Sequence, residues 1–276
     1  MPKQRDLSIV FPSGGVNKRF GYHQQAPFTT PDALNVWPTQ WETGRERGGT
    51  RPGITAFGDL SASPYDWCEA NWVGNSGIAV VHTSGLHVRT GTLGWTEKIS
   101  TAPISGPNSC AVYELKVYMA RSGGTCLFHT LADAVSAGTA LSNAGGGTAP
   151  TNCGIVLTWG DRLVLGNDAS NPQIFYMCRI GDPTDWDYTD VDASAAWANS
   201  GSEGGKISDN ITSLIDHNRD CLLVGCTDSI YAVRGNPHAG GQIYSLTKNV
   251  GPLSQTAWCK TASDHTVFMT RDGLYS

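Results

Sequence analysis

Five times along this chain a short apolar strand runs into a tight polar turn and out into a second strand. The clearest copies are "AVVHTSGLHV" (79–88), "LVGCTDSIYA" (223–232) and "VFMTRDGLYS" (267–276). Their turns fall at Ser84-Gly85, Asp228-Ser229 and Asp272-Gly273, and each is followed by an aliphatic residue and then His or Tyr: Leu86-His87, Ile230-Tyr231, Leu274-Tyr275. Two weaker copies lie between the first two, "KVYMARSGGTCLFH" (116–129) and "RLVLGNDASNPQIFYM" (162–177). Asp-Gly and its relatives favour hairpin turns because those turns need φ > 0. The turns sit near positions 85, 124, 172, 229 and 273, at intervals of 39, 48, 57 and 44 residues. A repeat of roughly 40–50 residues made of short strands is the pattern of β-propeller blades, sheets that bury their faces only against their neighbours.

Each copy extends further. A strand with apolar alternation precedes every hairpin: "CEANWV" (68–73), "SCAVYE" (109–114), "NCGIVLTW" (152–159), "ITSLID" (211–216) and "TAWCKT" (256–261). A fourth strand follows some of them, as in "WTEKIS" (95–100) and "QIYSLT" (242–247). The sequence therefore predicts an all-β chain, a propeller of four-stranded antiparallel blades with about four and a half blades visible. A β-sandwich also carries closely spaced hairpins and remains the alternative. With 33 Gly, 14 Pro and 16% charged residues the composition suits such a turn-rich fold, and "LADAVSAGTALS" (131–142) is the only stretch that reads as a helix candidate. The last copy stops just after its turn, so the propeller, residues 54–276, is expected to be incomplete at its C-terminus. No stretch approaches the roughly 20 apolar residues of a membrane span.

Residues 1–53 have another character: Gly- and Pro-rich, polar and without the repeat. Seven Lys and Arg against four Asp and Glu give +3, while the remaining residues carry twelve against twenty, or −8. This segment reads as an extended arm ordered by packing on the propeller or on a neighbour. Phe20, Tyr22, Trp37 and Trp41 are its candidate anchors, with Arg45, Arg47 and Arg51 beside them, since aromatic residues and arginines dominate interface energetics.

The eight cysteines follow the repeat. Cys68, Cys110, Cys153 and Cys259 sit in the strand before a hairpin; Cys126, Cys178, Cys221 and Cys226 sit within the hairpins. They read as small buried hydrophobes, reduced in the absence of a signal peptide, and no CxxC pair suggests zinc. "SGSEGGKIS" (200–208) fails the phosphate-loop pattern, because Ser200 stands where Gly is needed and Ile207 follows Lys206. Asp182, Asp185, Asp187, Asp190 and Asp192 crowd "IGDPTDWDYTDVDAS" without matching a calcium loop; they read as turn formers, with Trp186 packed against the blade. Nothing pairs a nucleophile with a base, so no catalytic, cofactor or metal residue is assigned and no enzyme is expected.

"IGDPTDWD" after "PQIFYM" resembles a phrase of the β-propeller hub, or nozzle, of short-tailed bacteriophages, also called head-stabilisation or tail-accessory protein. "PDALNVWP…RERGGTRPGI" is similar to the start of that family, and "DHNRDCLLVGCTDSIYAVRGNP…VGPLSQTAWCKTASDHTVFMTRDGLYS" to a later part. The resemblance implies a structural virion protein of the tail, assembled in the host cytoplasm. Six copies would ring below the portal adaptor, contact tail fibre, tailspike or needle proteins, and conduct genomic DNA without binding its sequence. Two other readings stay open: a carbohydrate- or peptide-binding propeller, and a capsid or tail-fibre accessory protein.

Overall fold

A computed structural model of the chain describes residues 64–72, 75–90, 95–102, 108–199, 207–261 and 265–276, together with four two-residue strands nearer the N-terminus. The chain divides into two units, residues 1–59 and 60–276. In the first, Gly15–Val16 runs parallel to Thr29–Thr30, and Val36–Trp37 runs antiparallel to Gly49–Thr50.

The second unit is a β-propeller of five blades, each built from strands in chain order. The first blade is Pro64–Trp72, Asn75–His82, Gly85–Thr90 and Thr96–Ile99. The second is Cys110–Tyr113, Lys116–Met119, Leu127–Thr130 and Thr139–Ala140. The third is Cys153–Trp159, Arg162–Asp168, Tyr176–Met177 and Trp197–Ala198. The fourth is Ile211–Asn218, Cys221–Cys226, Ile230–Arg234 and Gln242–Thr247. The fifth has three strands, Trp258–Lys260, Thr266–Thr270 and Gly273–Tyr275. Every neighbouring pair within a blade is antiparallel. Among the described residues no two-sheet sandwich forms, because each blade draws its strands from its own segment of chain.

All five repeated turns prove to be the same joint, the one between the second and third strands of a blade. Gly85 shows why that joint is so marked in the first blade. Its φ is +152°, and a Cβ there would overlap the carbonyl of Ile99 in the fourth strand. Only glycine meets both demands. The segment 131–142 is not helical; it forms turns and the short outer strand Thr139–Ala140. Glycine and β-branched residues there offer no helical periodicity strong enough to compete with the ladder beside Leu127 and Phe128.

Successive side chains on a strand point to opposite faces, and the core follows this rule from blade to blade. Leu163 and Leu165 pack toward the second blade with Ala111, Tyr118 and Val156. Val164 between them packs toward the fourth, with Ile155, Leu214 and Val224. A third layer joins Ala79, Leu86 and Ile99 of the first blade to Val117 and Met119 of the second. Among the described residues no comparable apolar layer joins the fourth blade to the fifth.

Candidate functional site

The first strand of each blade lies at one edge of its sheet, so one row of its N–H and C=O groups finds no ladder partner. These five strands together line a cavity of about 730 Å³, to which they contribute Asp66, Cys110, Val156, Asp216 and Trp258. The cavity is the axial channel of the propeller.

The open edges are closed by side chains that reach across from a neighbouring blade. Asp66 Oδ2 accepts the N–H of Cys110 at 3.1 Å. Ser109 Oγ accepts the N–H of Val156 at 2.7 Å, and Thr158 Oγ1 donates to the Val112 carbonyl at 3.0 Å. The indole N–H of Trp159 donates to the Asn218 carbonyl at 2.8 Å. Gln255 imitates a paired strand, since its Oε1 accepts the N–H of Leu214 at 2.7 Å and its Nε2 donates to the Leu214 carbonyl at 3.0 Å. Thr212 Oγ1 adds a bond to the Pro252 carbonyl at 2.8 Å, and His217 Nδ1 meets Thr266 Oγ1 at 2.8 Å. Polar seams therefore stand where regular strand pairing stops, as buried backbone groups require.

Electrostatics single out one carboxyl group in this channel. Asp66 is 9% exposed, and burial pushes its carboxyl up to about 6 despite the N–H groups of Cys110 and Trp67 that favour its charge. Asp216 lies near Lys260 at 3.9 Å, a half-exposed pair that contributes little. The wall thus mixes carboxylates, one lysine, three thiols and apolar surface. It offers no nucleophile hydrogen-bonded to a base, and among the described residues no group of three or more His, Cys, Asp and Glu is placed to hold a metal ion.

The aspartates of 182–192 are occupied locally. Asp182 Oδ1 accepts the N–H of Thr184 at 2.8 Å and Asp187 Oδ1 that of Thr189 at 2.9 Å. Arg179 binds Asp190 at 3.0 Å and Asp192 at 2.5 Å. Hydrogen bonds from Ser194, with that arginine, hold Asp192 down to about 2. Trp186 between them is fully buried, its indole N–H given to the Pro183 carbonyl at 3.0 Å.

Of the assembly residues expected from the sequence, Phe20, Tyr22, Trp41, Arg45, Arg47 and Arg51 lie outside the described residues. Trp37 belongs to the short strand Val36–Trp37, opposite Gly49. The channel residues Asp66, Asp216, Gln255 and Lys260 were not singled out from the sequence. Their signal is positional: each lies in or just before the first strand of a repeat.

No family model and no curated protein matches this sequence. Among solved structures, the fold is similar to the extracellular domain assigned to the hybrid two-component system BT4673 of B. thetaiotaomicron, with a TM-score of 0.52 at 12% identity over 82% of this chain. The chain spans 28% of that protein's length. It is also similar to YCF48 bound to D1 peptide, with a TM-score of 0.51 at 10% identity over 84% of this chain and 68% of that one. At such identities the likeness is one of fold alone.

Proposed function

We propose that this chain is a structural propeller of a tailed-phage virion, the hub or nozzle ring below the portal adaptor, and not an enzyme. The observation that carries this reading is how the chain uses the phrase "IGDPTDWD", one of the three that carry the family resemblance. Asp185–Trp186 pairs in parallel with Gly146–Gly147 of the connection after the second blade, and Trp186 fills the layer between the second and third blades. The phrase is a packing plug between two blades, a structural use that suits a scaffold. The net charge of −8 outside the first 53 residues also suits a conduit for DNA, because attraction to phosphate scales with the Lys and Arg presented.

Electron microscopy of the purified chain tests the proposal, together with peptide mass spectrometry of phage particles. Sixfold rings with an axial opening, and peptides of this chain in tail fractions, support it. Monodisperse monomers and absence from particles overturn it. A second reading, a peptide-binding propeller, draws on the channel of about 730 Å³, within the size range of ligand pockets, and on the fold shared with YCF48, whose structure holds a D1 peptide. Monomers that retain members of a random peptide library, and lose them on Trp258→Ala, favour that reading instead.

A further inference from the structure

Two thiols from neighbouring blades meet in the channel wall. Asp66 and Cys68 stand two residues apart in the first strand, so both project from the same face of it. That face is turned to the second blade, where Asp66 takes the N–H of Cys110 at 3.1 Å. Cys68 lies opposite Ala79 in its own blade, and Cys110 reaches across to that same residue, its Sγ donating to the Ala79 carbonyl at 3.9 Å. Cys110 is buried in the layer between the two blades, and Cys68 packs against that layer. The neighbouring Cys68 thiol, together with burial, holds the Cys110 thiol well above its ordinary range.

The two are unequally open. Cys110 is 5% exposed, Cys68 is half-buried, and both line the channel. A small oxidant in the channel therefore meets Cys68 first. We propose that Cys68 and Cys110 are a redox couple that closes into a disulfide between the first and second blades, with hydrogen peroxide as the oxidant. The sulfur of Cys68, as thiolate, attacks one peroxide oxygen; the O–O bond breaks, and the leaving hydroxide takes up a proton as water, giving a sulfenic acid. Cys110 then loses its thiol proton, and its sulfur attacks that of Cys68. The S–S bond forms, the S–O bond breaks, and the hydroxide leaves with that proton as a second water. Two thiols and one peroxide become one disulfide and two waters. The couple does not depend on the protein's place in a virion.

The consequence is a covalent tie across a seam whose edge is otherwise bridged at Asp66. It closes a loop through the first blade, which restricts the unfolded chain more than the folded one. Cys259 supplies an internal control, since it lines the same cavity and is exposed but belongs to none of the apolar layers.

Tryptic mapping of the full chain reads the outcome, because the peptides 48–89 and 99–116 each contain one cysteine. The protein is treated with a small excess of hydrogen peroxide, blocked with an alkylating agent and digested without reductant. The expected product is 48–89 joined to 99–116, lighter than the two reduced peptides by two hydrogens and separated again by dithiothreitol. Its melting temperature should exceed that of the reduced protein by roughly 5 °C. Cys110→Ser should leave Cys68 as sulfinic acid with no cross-link. The proposal is overturned if both peptides are recovered singly alkylated or irreversibly oxidised, or if Cys68 is found joined to Cys259.

Discussion

The Asp66 carboxylate of the first blade accepts the backbone N–H of Cys110 in the second, at 3.1 Å, and does so from a site 9% exposed to solvent. The bond is useful but the charge is costly there. Burial raises this carboxyl from 3.8 to about 6. Below pH 3.8 it is neutral in folded and unfolded chain alike, and its stabilising share is complete. As pH rises through 6 the folded chain must carry a buried anion, and that share is lost, up to about 3 kcal/mol. Asp66→Asn keeps an acceptor and removes the charge. Urea unfolding should find the variant more stable than the parent at pH 7.5 and no more stable at pH 4. A variant that is less stable at pH 7.5 would mean that the ionised carboxylate is needed to hold the seam.

A second pair titrates in the opposite sense. His82 Nε2 and His87 Nδ1 are 2.6 Å apart at the hairpin of the first blade, with Glu97 opposite His87 in the ladder. Such a contact needs one N–H and one lone pair, so both rings cannot be protonated without losing it. Burial lowers both imidazoles below 6.5, and His82 lowers His87 further, against the pull of Glu97. Their stabilising share is present above pH 6.5 and disappears as the pH falls through their depressed values. The chain should therefore lose stability on acidification from pH 7 to pH 5, in part offset by Asp66. The double variant His82→Gln, His87→Gln should flatten that loss; an unchanged slope would place its origin elsewhere.

Gln255 bears on the mobility of the last blade. Its side-chain amide makes both bonds to Leu214 that a neighbouring strand would have made, at a seam without an apolar layer among the described residues. Gln255→Ala should remove about 1–3 kcal/mol of local stability. Amide exchange at 258–260 and 266–270 should accelerate while exchange in the third blade stays unchanged, because local openings follow local contacts. Uniform acceleration across all blades would show that the fifth opens only with the rest.

Trp186 should behave otherwise. It is fully buried between two blades and bonded to Pro183. Trp186→Ala leaves a large cavity and should cost roughly 3–5 kcal/mol of global stability, measured as a lower denaturation midpoint. A loss under 1 kcal/mol would show that the plug is dispensable and remove the structural reason offered for its place in the phrase.

The blades were legible because their second-to-third turns repeat as a local pattern. A turn that needs φ > 0 or a missing Cβ, as at Gly85, must write itself into the sequence. The outer strands Thr139–Ala140 and Trp197–Ala198 were not legible, since two residues hold no alternation to detect. The channel was hidden for another reason. Asp66, Cys110, Asp216 and Gln255 come from four blades and meet only because blade follows blade around an axis, a closeness that no spacing along the chain expresses. Asp66 and Cys68 had a readable local relation, two apart on one strand, but nothing nearby named Cys110 as their partner.

The last prediction concerns residues 1–53, whose +3 balance opposes the −8 of the remainder. Opposite charge on two parts of one chain favours docking of one copy's arm on another copy's body, and it does so through association rate as much as affinity. In a ring each arm could then reach a neighbour, with Trp37 and Trp41 as the apolar anchors that charge alone does not supply. Deleting 1–53 should leave the propeller folded, because among the described residues its apolar layers are built from residues 68–243. It should abolish rings while leaving the circular dichroism of the strands in place. Trp37→Ala with Trp41→Ala should weaken assembly by tenfold or more, as expected if the two together contribute about 1.4 kcal/mol or more. Light scattering on size-fractionated protein separates the cases. Truncated chains that still form rings would remove the arm from assembly, whereas truncated chains that unfold would assign it to the body of its own propeller.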